Sequence, residues 1–137
     1  MSTKTKNGHS GVKAEPYKGT SYKVSIKRQA TPDAPSRTEV FELPYRKGLN
    51  ITSVLGDIAM EPVNASGAET TAISYDANCL EEICGSCAML INGKARMACS
   101  ALVDKLLGES GSDTMTLAPL SKFPVVRDLA VDRSVLF

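Results

Sequence analysis

The amino-acid sequence predicts an α+β fold in which a small mixed sheet packs on one main helix. Residues 21–27 alternate between apolar and polar side chains, with the period of two that is typical of a strand with one buried face. From Ile51 to Ile58, apolar residues recur at the spacing of an amphipathic helix. The chain has 137 residues, 42% of them hydrophobic, which is enough to build a single core.

The first strand and the helix are separated by a second extended segment. Phe41, Leu43 and Tyr45 share one face of this segment, and a turn-rich stretch joins it to the first strand, which predicts a hairpin. Asn50 is placed to cap the helix, which should end before Pro62.

Three further elements are predicted in the second half of the chain. Residues 70–75 are expected to form a short strand, and residues 114–118 a last strand. Between them, residues 101–107 have the pattern of a second helix, with Gly108 able to take the left-handed conformation at its end.

The sequence divides into a tail and a domain. Residues 1–19 are polar and are predicted to be a disordered tail, followed by the domain in residues 20–120.

The composition excludes several classes of protein. The 16 basic residues nearly balance the 15 acidic residues, without a basic run that contains aromatics, so no nucleic-acid partner is expected. We expect a cytoplasmic protein, because no segment has the length of a membrane span or the pattern of a secretory signal.

The cysteines carry the strongest chemical signal. They follow the pattern C-x4-C-x2-C-x11-C and are Cys79, Cys84, Cys87 and Cys99. The first three cysteines have the spacing of the loop that holds a 2Fe-2S cluster in plant-type ferredoxins, where a distant fourth cysteine completes the site. Gly85 and Ser86 add little bulk, so the backbone can fold closely around the cluster and direct N–H groups at its sulfur atoms.

A predicted hairpin explains the spacing of the fourth cysteine. The dipeptide Asn92-Gly93 is typical of a two-residue type I′ turn. In that register Cys87 lies opposite Ala98, so the returning strand places Cys99 beside Cys87.

Other interpretations of four cysteines remain open at this point. Structural zinc usually takes two C-x2-C pairs, and only one is present. Two disulfides would suit a secreted chain, but the sequence shows no pattern of a secretory signal. Four buried structural thiols would be a poor way to fill a core.

The sequence resembles the iron-sulfur subunit of succinate dehydrogenase and fumarate reductase. The resemblance is carried by CLEEICGSCAM at residues 79–89, ING at 91–93 and AC at 98–99, with GLNI at 48–51 and FPVVRDL at 123–129. It implies a β-grasp (ubiquitin-like) 2Fe-2S ferredoxin fold. It also implies that Cys79 and Cys84 ligate one iron, and that Cys87 and Cys99 ligate the other.

The same resemblance implies a place in an enzyme complex. The cluster would accept electrons one at a time from the FAD of a flavoprotein subunit that oxidises succinate to fumarate. Membrane-anchor subunits would hold the assembly indirectly on the cytoplasmic face of the inner membrane. No catalytic residue is predicted, because no nucleophile is paired with a base, so the chain would belong to an enzyme without performing substrate chemistry itself.

Two departures from the family pattern matter. Leu80, Glu81 and Glu82 occupy a loop where family members commonly have a basic residue and a glycine, so the carboxylates should lower the cluster potential unless solvent screens them. Residues 121–137 are expected to be a linker toward a second iron-sulfur domain, with two further clusters, that this chain lacks. The apolar residues of this linker should need a covering surface; they are Val125, Val126, Leu129 and Phe137.

Two other functions are compatible with the sequence. The chain could be a free-standing 2Fe-2S ferredoxin that serves another reductase, or a zinc-stabilised interaction module of ubiquitin-like fold. Co-purification with a flavoprotein would favour the subunit over the free ferredoxin, and a colourless protein that contains zinc would favour the interaction module.

Overall fold

The secondary structure is described for Tyr17 and residues 19–76 and 87–132 of a computed structural model. In chain order the elements are β1 (Ser21–Arg28), β2 (Arg37–Pro44), α1 (Ile51–Met60), β3 (Ala88–Ile91), β4 (Lys94–Met97), α2 (Val103–Ser110), β5 (Thr114–Ala118), β6 (Val125–Arg127) and β7 (Ala130–Val131). Five strands form one sheet in the order β2-β1-β5-β3-β4, and β6 pairs with β7.

The sheet is mixed, as predicted. β1 pairs with β2 in an antiparallel register that runs from Ser21 opposite Pro44 to Arg28 opposite Arg37, which confirms the predicted hairpin. β1 also pairs with β5, and those two strands are parallel. A parallel pair needs a long crossover, and here the crossover contains α1 and the segment with the cysteines.

The main helix packs its apolar face into the core that it shares with the sheet. Ile51, Val54, Leu55 and Ile58 are buried, as the helical spacing predicted. Burying an aliphatic side chain of this size stabilises a fold by roughly 1.5–3 kcal/mol. The Asn50 side chain caps the helix by accepting a hydrogen bond from the Ser53 N–H at 2.8 Å.

The hairpin between β3 and β4 has the predicted turn. Asn92 and Gly93 have φ angles of 51° and 82°, the positive values that a type I′ turn requires. Ile91 lies opposite Lys94 at the start of the ladder.

The prediction of a strand over residues 70–75 was wrong. This segment lies outside the strands, and its backbone is bound partly by loop and turn residues and partly by side chains. The Thr70 N–H donates to the Pro62 carbonyl at 2.8 Å, and the Ser74 carbonyl accepts from the Leu129 N–H at 3.0 Å. The carbonyls of Thr71 and Ala72 each accept from the Arg28 guanidinium at 3.0 Å, and the Ser74 N–H donates to Asp128 at 3.1 Å.

The predicted bounds of the second helix were also wrong. α2 begins two residues later than predicted because Ala101 and Leu102 are engaged by the start of α1, through the Ala101 carbonyl and an isolated bridge between Leu102 and Asn50. Gly108 lies inside the helix, and Gly111, with φ of 67°, takes the left-handed position at its end.

Part of the predicted linker folds back onto the domain. β6 and β7 form a short hairpin whose residue Leu129 is only 3% exposed and belongs to the core, so the expectation that Leu129 needs a partner's surface was wrong. Val126 is 49% exposed, as expected, and Phe137 lies outside the described residues. The division into residues 1–19, 20–120 and 121–137 stays a prediction.

Candidate metal centre

The structure describes two of the four predicted ligands. Cys87 immediately precedes β3 and is 3% exposed, and Cys99 follows β4 by two residues and is 9% exposed. The other predicted site residues lie outside the described residues; they are Cys79, Cys84, Gly85 and Ser86.

The β3–β4 hairpin brings Cys87 and Cys99 to the same end of the sheet. The last rung of the ladder pairs Ala88 with Met97, and the Ala98 N–H donates to the Cys87 carbonyl at 3.2 Å beyond it. Cys87 therefore lies opposite Ala98, as predicted, and Cys99 is the next residue on the returning chain.

A tight turn follows Met97 and carries Cys99. The Met97 carbonyl accepts from the N–H groups of Ser100 and Ala101, at 3.2 and 3.1 Å. The Asn50 side chain reaches this turn from the start of α1, where its amide nitrogen donates to the Cys99 carbonyl at 3.2 Å. Sequence reasoning identified Asn50 only as a helix cap, because nothing local in the sequence links it to a cysteine 49 residues away.

The chemistry of the two buried cysteines fits an iron-sulfur cluster. Thiolate sulfur is the donor that holds such clusters, and the burial of Cys87 and Cys99 would keep water away from the side of the cluster that faces the core. Within residues 17, 19–76 and 87–132, no three His, Cys, Asp or Glu side chains are grouped to hold a metal ion. A four-cysteine centre therefore requires the two cysteines of residues 77–86.

A second contact network fixes the loop that precedes α1. The Tyr45 hydroxyl donates to the Asp104 carboxylate, which also accepts from the Gly48 N–H at 3.3 Å. The hydrogen bond to Asp104, together with burial, raises the pKa of Tyr45 to about 12. This network ties the approach to α1 to the first turn of α2.

A buried ion pair, which sequence reasoning missed, holds the segment that leads toward the cysteine loop. Arg28 and Asp128 are each 3% exposed, and Asp128 also accepts from the N–H groups of Gln29 and Ser74, both at 3.1 Å. Burial alone would raise the pKa of Asp128, but hydrogen bonds from Arg28, Ser74 and Gln29 outweigh it and hold that pKa below its usual range. The available signal was the position of Arg28, which continues the inward-facing alternation of β1 with a charged residue.

No helix in the described part of the chain is long and apolar enough to span a membrane.

A mixed five-stranded sheet on one main helix, with two buried cysteines at one end of a short hairpin, defines a β-grasp domain of the ferredoxin type. The chain belongs to the family described as the 2Fe-2S iron-sulfur cluster binding domain, whose profile matches residues 23–137. The predicted fold class and cofactor are thereby confirmed.

Comparison with curated proteins confirms the resemblance drawn from the cysteine motif. The chain is 50% identical, over 112 residues, to the succinate dehydrogenase iron-sulfur subunit of Bacillus subtilis, covering 82% of this chain and 42% of that protein. It is 32% identical, over 104 residues, to the fumarate reductase iron-sulfur subunit of Haemophilus influenzae, covering 74% and 35%. The chain thus spans less than half the length of these two relatives.

A solved structure shares the fold. A chain of the Mycobacterium smegmatis Sdh1 complex in the apo form superposes with a TM-score of 0.62 at 23% identity, covering 83% of this chain and 43% of that one.

Proposed function

We propose that this chain is an electron-transfer domain whose 2Fe-2S cluster is held by its four cysteines; they are Cys79, Cys84, Cys87 and Cys99. Gly85 and Ser86 would let the loop fold closely around the cluster. Cys79 and Cys84 would hold one iron, and Cys87 and Cys99 the other.

The observation that carries the proposal is the placement of the last two ligands. Cys87 and Cys99 are twelve positions apart in the sequence, and the hairpin register places them one residue out of direct opposition, both withdrawn from water. Directly opposed residues of a hairpin have Cβ atoms about 5 Å apart, so neighbouring strand ends suit two ligands of a compact cluster.

The proposed electron path follows from the relatives, which are named as iron-sulfur subunits of succinate dehydrogenase and fumarate reductase. The domain would accept electrons from the FAD of a flavoprotein subunit and pass them toward further clusters and quinone. The second iron-sulfur domain and the membrane-anchor subunits of such a complex would place the chain at the cytoplasmic face of the inner membrane.

The chain's own residues would bind and shield the cluster rather than act on a substrate. The cluster would supply one-electron transfer. The thiolates would hold it, and the core around Met89, Ile91 and Ala98 would exclude water from its inner side. The chain would thus act in an oxidoreductase complex without contacting succinate or fumarate.

The proposal is tested on the purified full chain with visible and EPR spectra before and after dithionite. We expect a coloured protein whose reduced form gives the EPR signal of a 2Fe-2S cluster, and loss of that signal in Cys87→Ser and Cys99→Ser. Ser100→Ala, next to Cys99 and exposed, is the matched control and should keep the signal. A colourless, zinc-containing protein would support the interaction module instead.

A second experiment tests the electron donor. The oxidised chain is mixed with a succinate dehydrogenase flavoprotein subunit, and the cluster absorbance is followed after succinate is added. Succinate-dependent bleaching supports the proposed subunit role. Bleaching by an unrelated ferredoxin reductase, but not by the flavoprotein with succinate, would support a free-standing ferredoxin.

A further inference from the structure

The side chain of Asn50 joins the start of α1 to the turn that carries Cys99. Its oxygen accepts from the Ser53 N–H at 2.8 Å and from the hydroxyls of Thr52 and Ser53 at 2.6 and 2.9 Å. Its nitrogen donates in the opposite direction, to the Cys99 carbonyl at 3.2 Å. One half-buried amide therefore uses its acceptor for the helix and its donor for the cysteine.

Backbone contacts bracket Cys99 on the same surface. On one side of Cys99 the Ala98 carbonyl accepts from the Thr52 N–H at 3.4 Å, and on the other side the Ala101 carbonyl accepts from the Ile51 N–H at 3.0 Å. These two donors are among the first N–H groups of α1, which have no partner inside the helix. The turn around Cys99 satisfies them, so the helix start and the turn complete each other's hydrogen bonding.

The arrangement fixes the peptide that follows the cysteine. In metal sites, hydrogen bonds to the ligand residues orient the ligating atoms, and their loss weakens metal binding. Cys99 lies in a short turn two residues after the end of β4, outside the ladder of the β3–β4 hairpin. The Asn50 amide binds the Cys99 carbonyl from the start of a helix that is itself anchored in the core by Ile51 and Val54.

We propose that Asn50 is a positioning residue for the Cys99 ligand, through the hydrogen bond from its amide nitrogen to the Cys99 carbonyl. The proposal rests on the proposed function, because it assigns to Cys99 the role of a cluster ligand. It adds that α1 is the rigid support of this ligand and that Asn50 links the two.

The test compares two substitutions that keep the helix cap and remove the amide donor. Serine and aspartate are both good N-cap residues, so Asn50→Ser and Asn50→Asp should retain the hydrogen bond from Ser53 N–H. The serine hydroxyl lies one bond nearer the backbone than the asparagine nitrogen, so it does not replace the amide as a donor to the Cys99 carbonyl. Aspartate offers only acceptors to the Cys99 carbonyl.

The measurement is the rate at which the cluster absorbance is lost when the holoprotein is mixed with an iron chelator, together with the EPR spectrum of the reduced form. Loss of one neutral hydrogen bond changes an equilibrium constant about fivefold. We therefore expect the cluster of Asn50→Ser to be lost roughly fivefold faster than that of the wild type. We also expect a shifted EPR spectrum, which a change in helix stability alone would not produce. Asn50→Asp should show the larger effect on both.

Asn64→Ser is the matched control. Asn64 also uses both ends of its amide, donating to Glu39 at 2.9 Å and accepting from the Ser66 N–H at 3.0 Å, but it lies in the loop after α1 and contacts neither described cysteine. It should release the cluster at the wild-type rate. Wild-type rates and spectra in both Asn50 variants would overturn the inference, whereas a wild-type protein without a cluster would overturn the proposed function instead.

Discussion

Arg28 and Asp128 are 100 positions apart in the sequence and form a doubly hydrogen-bonded ion pair in the interior of the protein. The Arg28 Nε atom lies 3.2 Å from Asp128 Oδ1, and the Nη2 atom lies 2.9 Å from Oδ2. Arg28 also donates to Glu39 at 2.9 Å and to the carbonyls of Thr71 and Ala72. The pair therefore joins the end of β1, the β6–β7 hairpin and the segment that leads into the cysteine loop.

Asp128→Asn should strongly destabilise the protein. The substitution removes one of the two carboxylates that compensate the buried Arg28 charge, and breaking a buried pair in this way costs about 3–5 kcal/mol. Glu39 remains and should keep the loss near the lower end of that range. The free energy of unfolding, measured by denaturant titration, gives the result.

The control for Asp128→Asn is Asp33→Asn, which removes an exposed carboxylate in the loop between β1 and β2. It should change the stability by less than about 0.5 kcal/mol. Equal stabilities of the two variants would contradict a role for the buried pair.

The contribution of Asp128 to stability should depend on pH. Its pKa is lowered in the folded protein, so its stabilising effect is fully present above the unfolded pKa of about 3.9 and is lost as the pH falls through the folded value. The difference in unfolding free energy between wild type and Asp128→Asn should therefore be largest near neutral pH and shrink below about pH 4. A difference that stays constant from pH 7 to pH 3 would show that the charge on Asp128 is unimportant.

Gly93→Ala should weaken the hairpin that carries Cys87 and Cys99. Gly93 has a φ angle of 82°, and a left-handed conformation costs a residue with a Cβ atom roughly 1–2 kcal/mol. We expect a loss of stability of about that size, together with a lower yield of cluster-loaded protein. Unfolding titrations and iron analysis of the purified protein measure the two effects.

The same substitution at Gly56 provides the control for Gly93→Ala. Gly56 lies inside α1, where a Cβ atom would meet no atom within 4 Å beyond its chain neighbours and the nearby backbone of the helix itself. Because alanine favours a helix over glycine by about 1 kcal/mol, Gly56→Ala should stabilise the protein. The account of the turn would be wrong if both substitutions changed stability in the same direction.

Glu82→Gln should raise the midpoint potential of the cluster. Glu82 lies outside the described residues, and the prediction rests on its place between the first two cysteines, where a negative charge disfavours an added electron. A redox titration at low ionic strength is the measurement, with Glu69→Gln, an exposed carboxylate in the loop after α1, as the control. An unchanged potential would indicate a solvated loop that does not tune the cluster.

The elements that the sequence predicted well are those whose signal is local. The alternation in β1, the helical spacing from Ile51 to Ile58 and the Asn92-Gly93 turn each specify an element within a few residues, and the structure confirms all three. The hairpin register followed from the turn, and with it the placement of Cys99 beside Cys87.

The features that the sequence did not reveal depend on distant partners. Residues 70–75 have the composition of a strand, yet their backbone groups are bound by the side chains of Arg28 and Asp128 and by the backbone of Pro62 and Leu129. The second helix begins late because α1 engages the residues before it. Leu129 was expected to be exposed because nothing near it in the sequence indicates that the last hairpin folds back onto the core.

The most direct test of the central claim is the iron and acid-labile sulfide content of the purified chain, measured on the samples that give the reduced EPR spectrum. The account predicts two irons and two sulfides for each chain, with one unpaired electron per cluster after dithionite reduction. A chain that contains zinc, or iron without sulfide, and that gives no such signal would contradict it.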